Sequence, residues 1–263
     1  MYRRLEPAHI IKTLERLERR VSERFPGSGL GRVCAELTAI TRQSEARAKE
    51  IAAPIRWLRA LIVIVLGGGL GLLVFVLAGV LSNTKPNDDL YGTLQGIDAG
   101  FNILVLMGGL LYFASSLEER IKRRRAMTAL HELRSIIHVI DMHQLTKDPS
   151  TEVAVSQPTQ SSPKRQLTTY EVMRYLDYCS EMLSLAAKVA VLYAQSFPDP
   201  TVTNAVNDLE RTAASLSQKI WQKINILERS LQAIAAPPAA PVAGKDAAPR
   251  VEPAPTTKAE APA

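Results

Sequence analysis

Cysteine is scarce. Cys34 and Cys179 are the two thiols among 263 residues. They lie far apart on segments read below as cytoplasmic, where thiols stay reduced, so neither a disulfide nor a cysteine-based metal site is expected. Aromatic residues are also sparse, at 5% against 46% hydrophobic, and few runs alternate as strands do, so the chain reads as mostly helical. Catalytic patterns are missing as well. There is no G-x-S-x-G, no glycine-rich phosphate loop followed by Lys and Ser or Thr, and no cysteine with a plausible histidine and acid. Neither an enzyme nor a cofactor is expected.

What the chain does have is two long apolar runs. Residues 60–81 read ALIVIVLGGGLGLLVFVLAGVL, long enough to cross a hydrocarbon core that needs about 20 residues. Residues 99–117, AGFNILVLMGGLLYFASSL, are shorter and carry Asn102 but no charge. Together they predict a transmembrane hairpin over residues 57–117 with a short outer loop at 82–98. The first run begins too far from the start to be a signal peptide.

The net charge of +6 is concentrated beside these runs. Arg42, Arg47, Lys49, Arg56 and Arg59 precede the first, and Arg120, Lys122, Arg123, Arg124 and Arg125 follow the second. The connecting loop holds Lys85 alone. By the positive-inside rule both termini are cytoplasmic, in a multi-pass protein of a cell membrane, expected to be a bacterial inner membrane. Trp57 and Tyr112 fall near the inner interface and Tyr91 near the outer one. The Arg123, Arg124 and Arg125 cluster lies within about a turn of the membrane and lacks interleaved aromatics, which excludes nucleic acid and points to anionic headgroups. Glycines punctuate both runs. Gly67 and Gly71 form a small-xxx-small pair, and Gly108 and Gly109 sit in the second run, so span packing is assigned to these four, either between the two spans or between protomers.

Outside the membrane the periodicity is helical. Residues 1–56 predict a hairpin: Ile10, Leu14, Leu17 and Val21 repeat at helical spacing after Pro7, FPGSG ends that helix, and a second runs from Leu30 toward Pro54, feeding into the first span. Leu130, Leu133, Ile137 and Ile140 carry the second span on as a cytoplasmic extension over residues 118–146. A polar linker follows at 147–167. Residues 168–235 predict a second hairpin. Thr168 and Glu171 form a capping box, and Val172, Leu176, Cys179, Leu183, Ala186, Ala190, Tyr193 and Phe197 make one heptad seam. Asp199 caps the last helix, in which Val202, Val206, Leu209, Ala213, Leu216, Ile220, Ile224, Leu227, Leu231 and Ile234 repeat the pattern with a stutter. The Pro- and Ala-rich residues 236–263 cannot bury enough surface to fold. The fold class is an all-α integral membrane protein: a two-span hairpin with a cytoplasmic antiparallel helical bundle of coiled-coil character.

Three of the four histidines cluster in HELRSIIHVIDMH, residues 131–143. His131 and Glu132 start a zincin-like pattern, but its second histidine position is Ser135, and neither His138 nor His143 has a glutamate three residues before it, as a di-iron Glu-x-x-His pair requires. His131 and His138 share a face within about 20° of arc, with Asp141 placed to pair with His138. These three are the weak candidates for metal, yet seven residues of rise is about 10 Å, too far for one ion. A packing role comes first, pH sensing or partner contact second, and metal last.

The two-span layout framed by cytoplasmic helices is similar to that of two-span effector proteins of bacterial defence, in topology alone. The function read from the sequence is a non-catalytic membrane-anchored scaffold or signalling adaptor. It would contact anionic lipid and bind a second copy or a protein partner through its cytoplasmic helices. The alternative is a small homo-oligomeric pore or membrane effector gated by the bundle.

Overall fold

The computed structural model describes residues 4–83, 90–147 and 167–235, which are helical throughout apart from turns. The expected linker and tail lie outside the described residues, as does most of the connecting loop. Helix α1 (Pro7–Arg24) has proline in its first turn, where a missing N–H costs nothing. Its Ile10, Leu14, Leu17 and Val21 are buried. Gly27, at φ 69°, lets the chain reverse in a conformation other residues resist. Ser28 then accepts a hydrogen bond from the Gly31 N–H at 3.2 Å and caps α2 (Gly29–Ala52).

The sequence predicts α2 feeding into the first apolar helix. It does not: Ala53 is extended, at φ −70° and ψ 146°, because the residue before a proline is pushed out of the helical region. Helix α3 (Arg56–Asn83) starts afresh beyond Pro54. Helix α4 spans Leu90–Leu145 without interruption, 56 residues and therefore about 84 Å. It begins nine residues before the predicted boundary at 99, inside what the sequence assigns to a loop. The hydropathy pattern marks where the apolar run starts, and a helix is free to begin earlier in polar sequence. Helix α5 (Thr169–Ser196) opens with the Thr168 and Glu171 capping box, and α6 covers Pro200–Ala235.

Both α3 and α4 are long and apolar enough to cross a membrane. They pack on each other along one line: a Cβ at Gly69 would lie 2.9 Å from Met107 Sδ, and one at Gly100 would lie 3.5 Å from Leu73 Cδ1. The sequence assigns packing to Gly67, Gly71, Gly108 and Gly109, and within the chain this is corrected. Nothing lies within 4 Å of a Cβ added at any of the four, because they fall on faces turned away from the partner helix. Most large apolar side chains of the pair face outward, as Phe75 at 77% and Phe101 at 65% exposure illustrate.

The other helices and the second half of α4 share one hydrophobic core. Helix α5 is its centre. Besides the predicted seam, Tyr175, Tyr178, Met182, Leu185, Val189 and Leu192 are buried, so it is covered on nearly every side and a single heptad seam understates it. Its neighbours α1, α2, α4 and α6 together surround it. On α2 the buried Thr38, Thr41 and Ser44 donate their hydroxyl hydrogens back to Cys34, Leu37 and Ile40 carbonyls at 2.9, 2.7 and 2.8 Å. A polar stripe can therefore enter the core with its hydrogen bonding met inside its own helix. On α6 the seam is buried from Val202 to Leu227, and Leu231 is 39% exposed, so the helix outruns its support. Leu183 is fully buried in the central helix. Leu183→Ala is expected to cost about 2–5 kcal/mol, read as a lowered melting temperature by circular dichroism; an unchanged melt would place this side chain outside the core.

Candidate functional site

The histidine face is the first candidate. His131 and His138 are exposed on the outward side of α4, opposite the buried Leu133, Ile137 and Ile140. His138 borders a shallow groove with Arg134, Asp208, Arg211 and Thr212. Asp141 does not turn to His138 as expected. It accepts a hydrogen bond from Gln144 Nε2 at 2.6 Å, and Gln144 in turn takes Lys223 Nζ of α6 on its side-chain and main-chain oxygens, at 2.7 and 3.0 Å. That lysine shares a carbonyl in the last turn of α4 with the Lys147 N–H, which lies 3.2 Å from the same oxygen. Among the described residues no group of three His, Cys, Asp or Glu is placed to hold a metal ion.

His143, which the sequence places in the cluster without singling it out, is the histidine built into the fold. Its ring packs so closely on α2 that a Cβ at Gly29 would lie 2.7 Å from Cε1, and Nδ1 lies 3.0 Å from the Tyr175 hydroxyl. Tyr175 is itself buried, edge-on to Phe25 at 5.5 Å with Lys147 5.0 Å over its ring. Partial burial, with Arg32 and Lys147 nearby, holds the His143 pKa below the usual imidazole value. Four elements meet here: the α1–α2 turn, α2, the end of α4 and the start of α5.

The second candidate is the basic cluster where the apolar helices join the bundle. Glu118, with a side chain 13% exposed, collects the Ile55 N–H at 3.4 Å, Arg59 Nε at 3.3 Å and Lys122 Nζ at 2.9 Å. These partners outweigh its burial and lower its pKa. It ties the break between α2 and α3 to α4. One turn further along, Arg123 donates from Nε and Nη2 to Asp199 Oδ2 at 2.9 and 2.5 Å. Asp199 uses its other oxygen to accept the Thr201 and Val202 N–H groups at 2.9 and 3.2 Å, which caps α6. Of the three arginines assigned to the membrane surface, Arg123 is thus committed to a buried carboxylate, while Arg124 and Arg125 are exposed. The sequence shows the α6 cap and the i,i+4 spacing of Glu118 and Lys122, but nothing local pairs residues 123 and 199.

Chemically, both places hold charge in fixed positions and spend it on the protein itself. The thiols are equally withdrawn: burial raises the pKa of Cys34 and of Cys179 to about 12, so neither supplies a thiolate near neutrality. Comparison with protein-family models, curated proteins and solved structures gives no match for this chain.

Two outcomes follow from these junctions. Hydrogen bonds from Arg123 lower the Asp199 pKa despite burial, so the folded form binds this proton less readily than the unfolded chain. Its stabilisation is fully present above the ordinary carboxylate value of about 4 and is lost as pH falls below that through the depressed folded value. Asp199→Asn is expected to lower stability at pH 7 and flatten the acid limb of a denaturation-against-pH curve, whereas a parallel curve would show the ion pair to be inert. For His143 the folded pKa is also depressed, so its share of stability is complete above about 6.5 and declines below it, as the unfolded chain gains the proton first. In His143→Gln the slope between about pH 5 and 7 should diminish. An unaltered slope would refute the assignment.

Proposed function

We propose that the chain is a non-catalytic scaffold or adaptor of a bacterial inner membrane, anchored by α3 and α4, with its helical bundle and both termini in the cytoplasm. The observation that carries this reading is the division of α4. Its first part presents large apolar side chains outward, and its second part buries one apolar face among α2, α5 and α6. One rigid rod with two such surfaces suits a body held at a fixed distance and angle from a bilayer.

The charge distribution supports the same orientation. Arg56, Arg120, Arg124 and Arg125 are exposed at the junction and have no carboxylate partner among the described residues. Trp57, next to Arg56 in the chain, is 64% exposed, as suits an amphipathic ring at the interface. Each cation near an anionic headgroup layer contributes about 1 kcal/mol. Arg123 belongs instead to the internal support, holding the α5–α6 turn against α4. The bundle surface then carries ion pairs that order the helices, such as Arg42 with Glu15 at 2.7 Å and Arg47 with Glu132 at 2.5 Å.

Single cysteines test the orientation in intact cells. Asn87→Cys should react with a membrane-impermeant maleimide from outside, and Ser161→Cys should react only after the cells are opened. The reverse pattern would invert the anchor, and equal labelling of both before opening would remove it.

A further inference from the structure

Because α4 starts at Leu90, its first turns bring polar residues into line with the apolar stretch. At 100° per residue, Gln95, Asp98, Asn102, Val105 and Gly109 fall within about 80° of arc. All five are exposed. Asn102 Nδ2 donates to Asp98 Oδ2 at 3.2 Å, and nothing lies within 4 Å of a Cβ added at Gly109. The contact with α3 runs through Gly100 and Met107, about 160–180° around the helix from Gly109. The polar face is therefore turned away from the only other apolar helix among the described residues.

Depth makes this face informative. Taking the charged cluster at Glu118 as the inner edge, Asn102 stands sixteen residues, or about 24 Å, into a hydrocarbon layer of about 30 Å, with Asp98 at its outer rim. Beyond the Asp98 carboxylate on its own helix, a carboxamide facing acyl chains has no partner there, and polar groups inside spans are found turned toward other helices.

We infer that this face of α4 is the seam between two copies of the chain, an inference that rests on the membrane anchorage proposed above. Asn102 gives one amide hydrogen to Asp98, which leaves its second N–H and its carbonyl oxygen to bond outward. A two-fold related α4 presents the same donor and acceptor, so the pair is complementary to itself. Gly109 lies two turns further in on the same face and lets the backbones approach closely enough for those bonds to form. The outer side of α3 offers Gly67 and Gly71 but no polar group, so α4 meets α4. Asp98, at the rim, keeps its own Asn102 and water, so the two carboxylates need not be buried against each other.

The test is oxidative cross-linking of the full chain in native membranes by copper phenanthroline. Val105→Cys lies on the seam, and Leu104→Cys, equally exposed at 56%, points about 140° away from its centre. Val105→Cys is expected to form disulfide-linked dimer several-fold more than Leu104→Cys. Adding Asn102→Leu, or Gly109→Leu to fill the bare surface, should reduce that dimer several-fold while circular dichroism melting of the bundle stays unchanged. Equal cross-linking at 104 and 105, or dimer unaffected by both leucine substitutions, would overturn the seam. Carbonate extraction separates the two levels of the inference. A chain retained in the membrane but monomeric refutes the seam alone, and a chain released to the supernatant refutes the anchorage and the seam together.

Discussion

The continuity of α4 is the constraint on which the other contacts depend. A helix of about 84 Å cannot be buried by one small core, so its two ends answer to different surroundings. Near its middle the residue types change from Leu, Val, Phe and Gly to a run of Glu, Arg and Lys, then to a stripe of Ala, Leu and Ile on one side only. Backbone hydrogen bonds pass through that change without a break, which makes the rod stiff where a loop would have left a joint. Everything that packs on its second half is thereby fixed relative to its first half.

Two carboxylates make that fixation specific. Apolar packing around α5 is generous but tolerant of sliding, since Leu, Val and Ala can exchange neighbours at modest cost. Glu118 and Asp199 are less tolerant. Each is largely withdrawn from water and satisfied by named donors from separate elements: Ile55, Arg59 and Lys122 for the first, Arg123 with the α6 N-terminus for the second. Removing one partner leaves a charge without compensation, which is far more costly than the net worth of the pair. The exposed pairs at the rim, Arg42 with Glu15 among them, carry little by contrast, because solvent and salt screen them.

How much of this the sequence discloses depends on the range of the interaction. The FPGSG turn, the Thr168 and Glu171 capping box, the Asp199 cap and the apolar runs are written in neighbouring residues, and each is readable there. Burial on one face is readable too, as Ile10, Leu14, Leu17 and Val21 show. Centrality is not. Nothing in the period of α5 distinguishes a helix packed along one seam from one surrounded by four neighbours, because Tyr175, Tyr178 and Met182 are acceptable on either kind of surface. The same limit explains the glycines. Spacing identifies Gly67 and Gly71 as a pair, whereas the close approaches are at Gly69 and Gly100, which no local pattern marks. Arg123 reads as one of three equivalent arginines until residue 199, brought back by the α5–α6 turn, selects it.

The histidines show the same dependence on what returns from far away. His131 and His138 have the regular spacing that attracts attention, yet they face outward, and Asp141 is engaged by Gln144 instead. His143 has no partner on its own helix that sequence could suggest. Its surroundings come from α2 and α5: Gly29, whose missing side chain makes room for the ring, and Tyr175, whose hydroxyl meets Nδ1. A glycine at the start of α2 is ordinary as a helix-opening residue, so its second role is invisible until α4 lies against it. Burial, Arg32 and Lys147 then act in the same direction on the imidazole and hold its pKa below the usual histidine value. What sets this histidine apart is the meeting of four elements, and that meeting exists because α4 is long enough to reach the α1–α2 turn at the far end of the bundle.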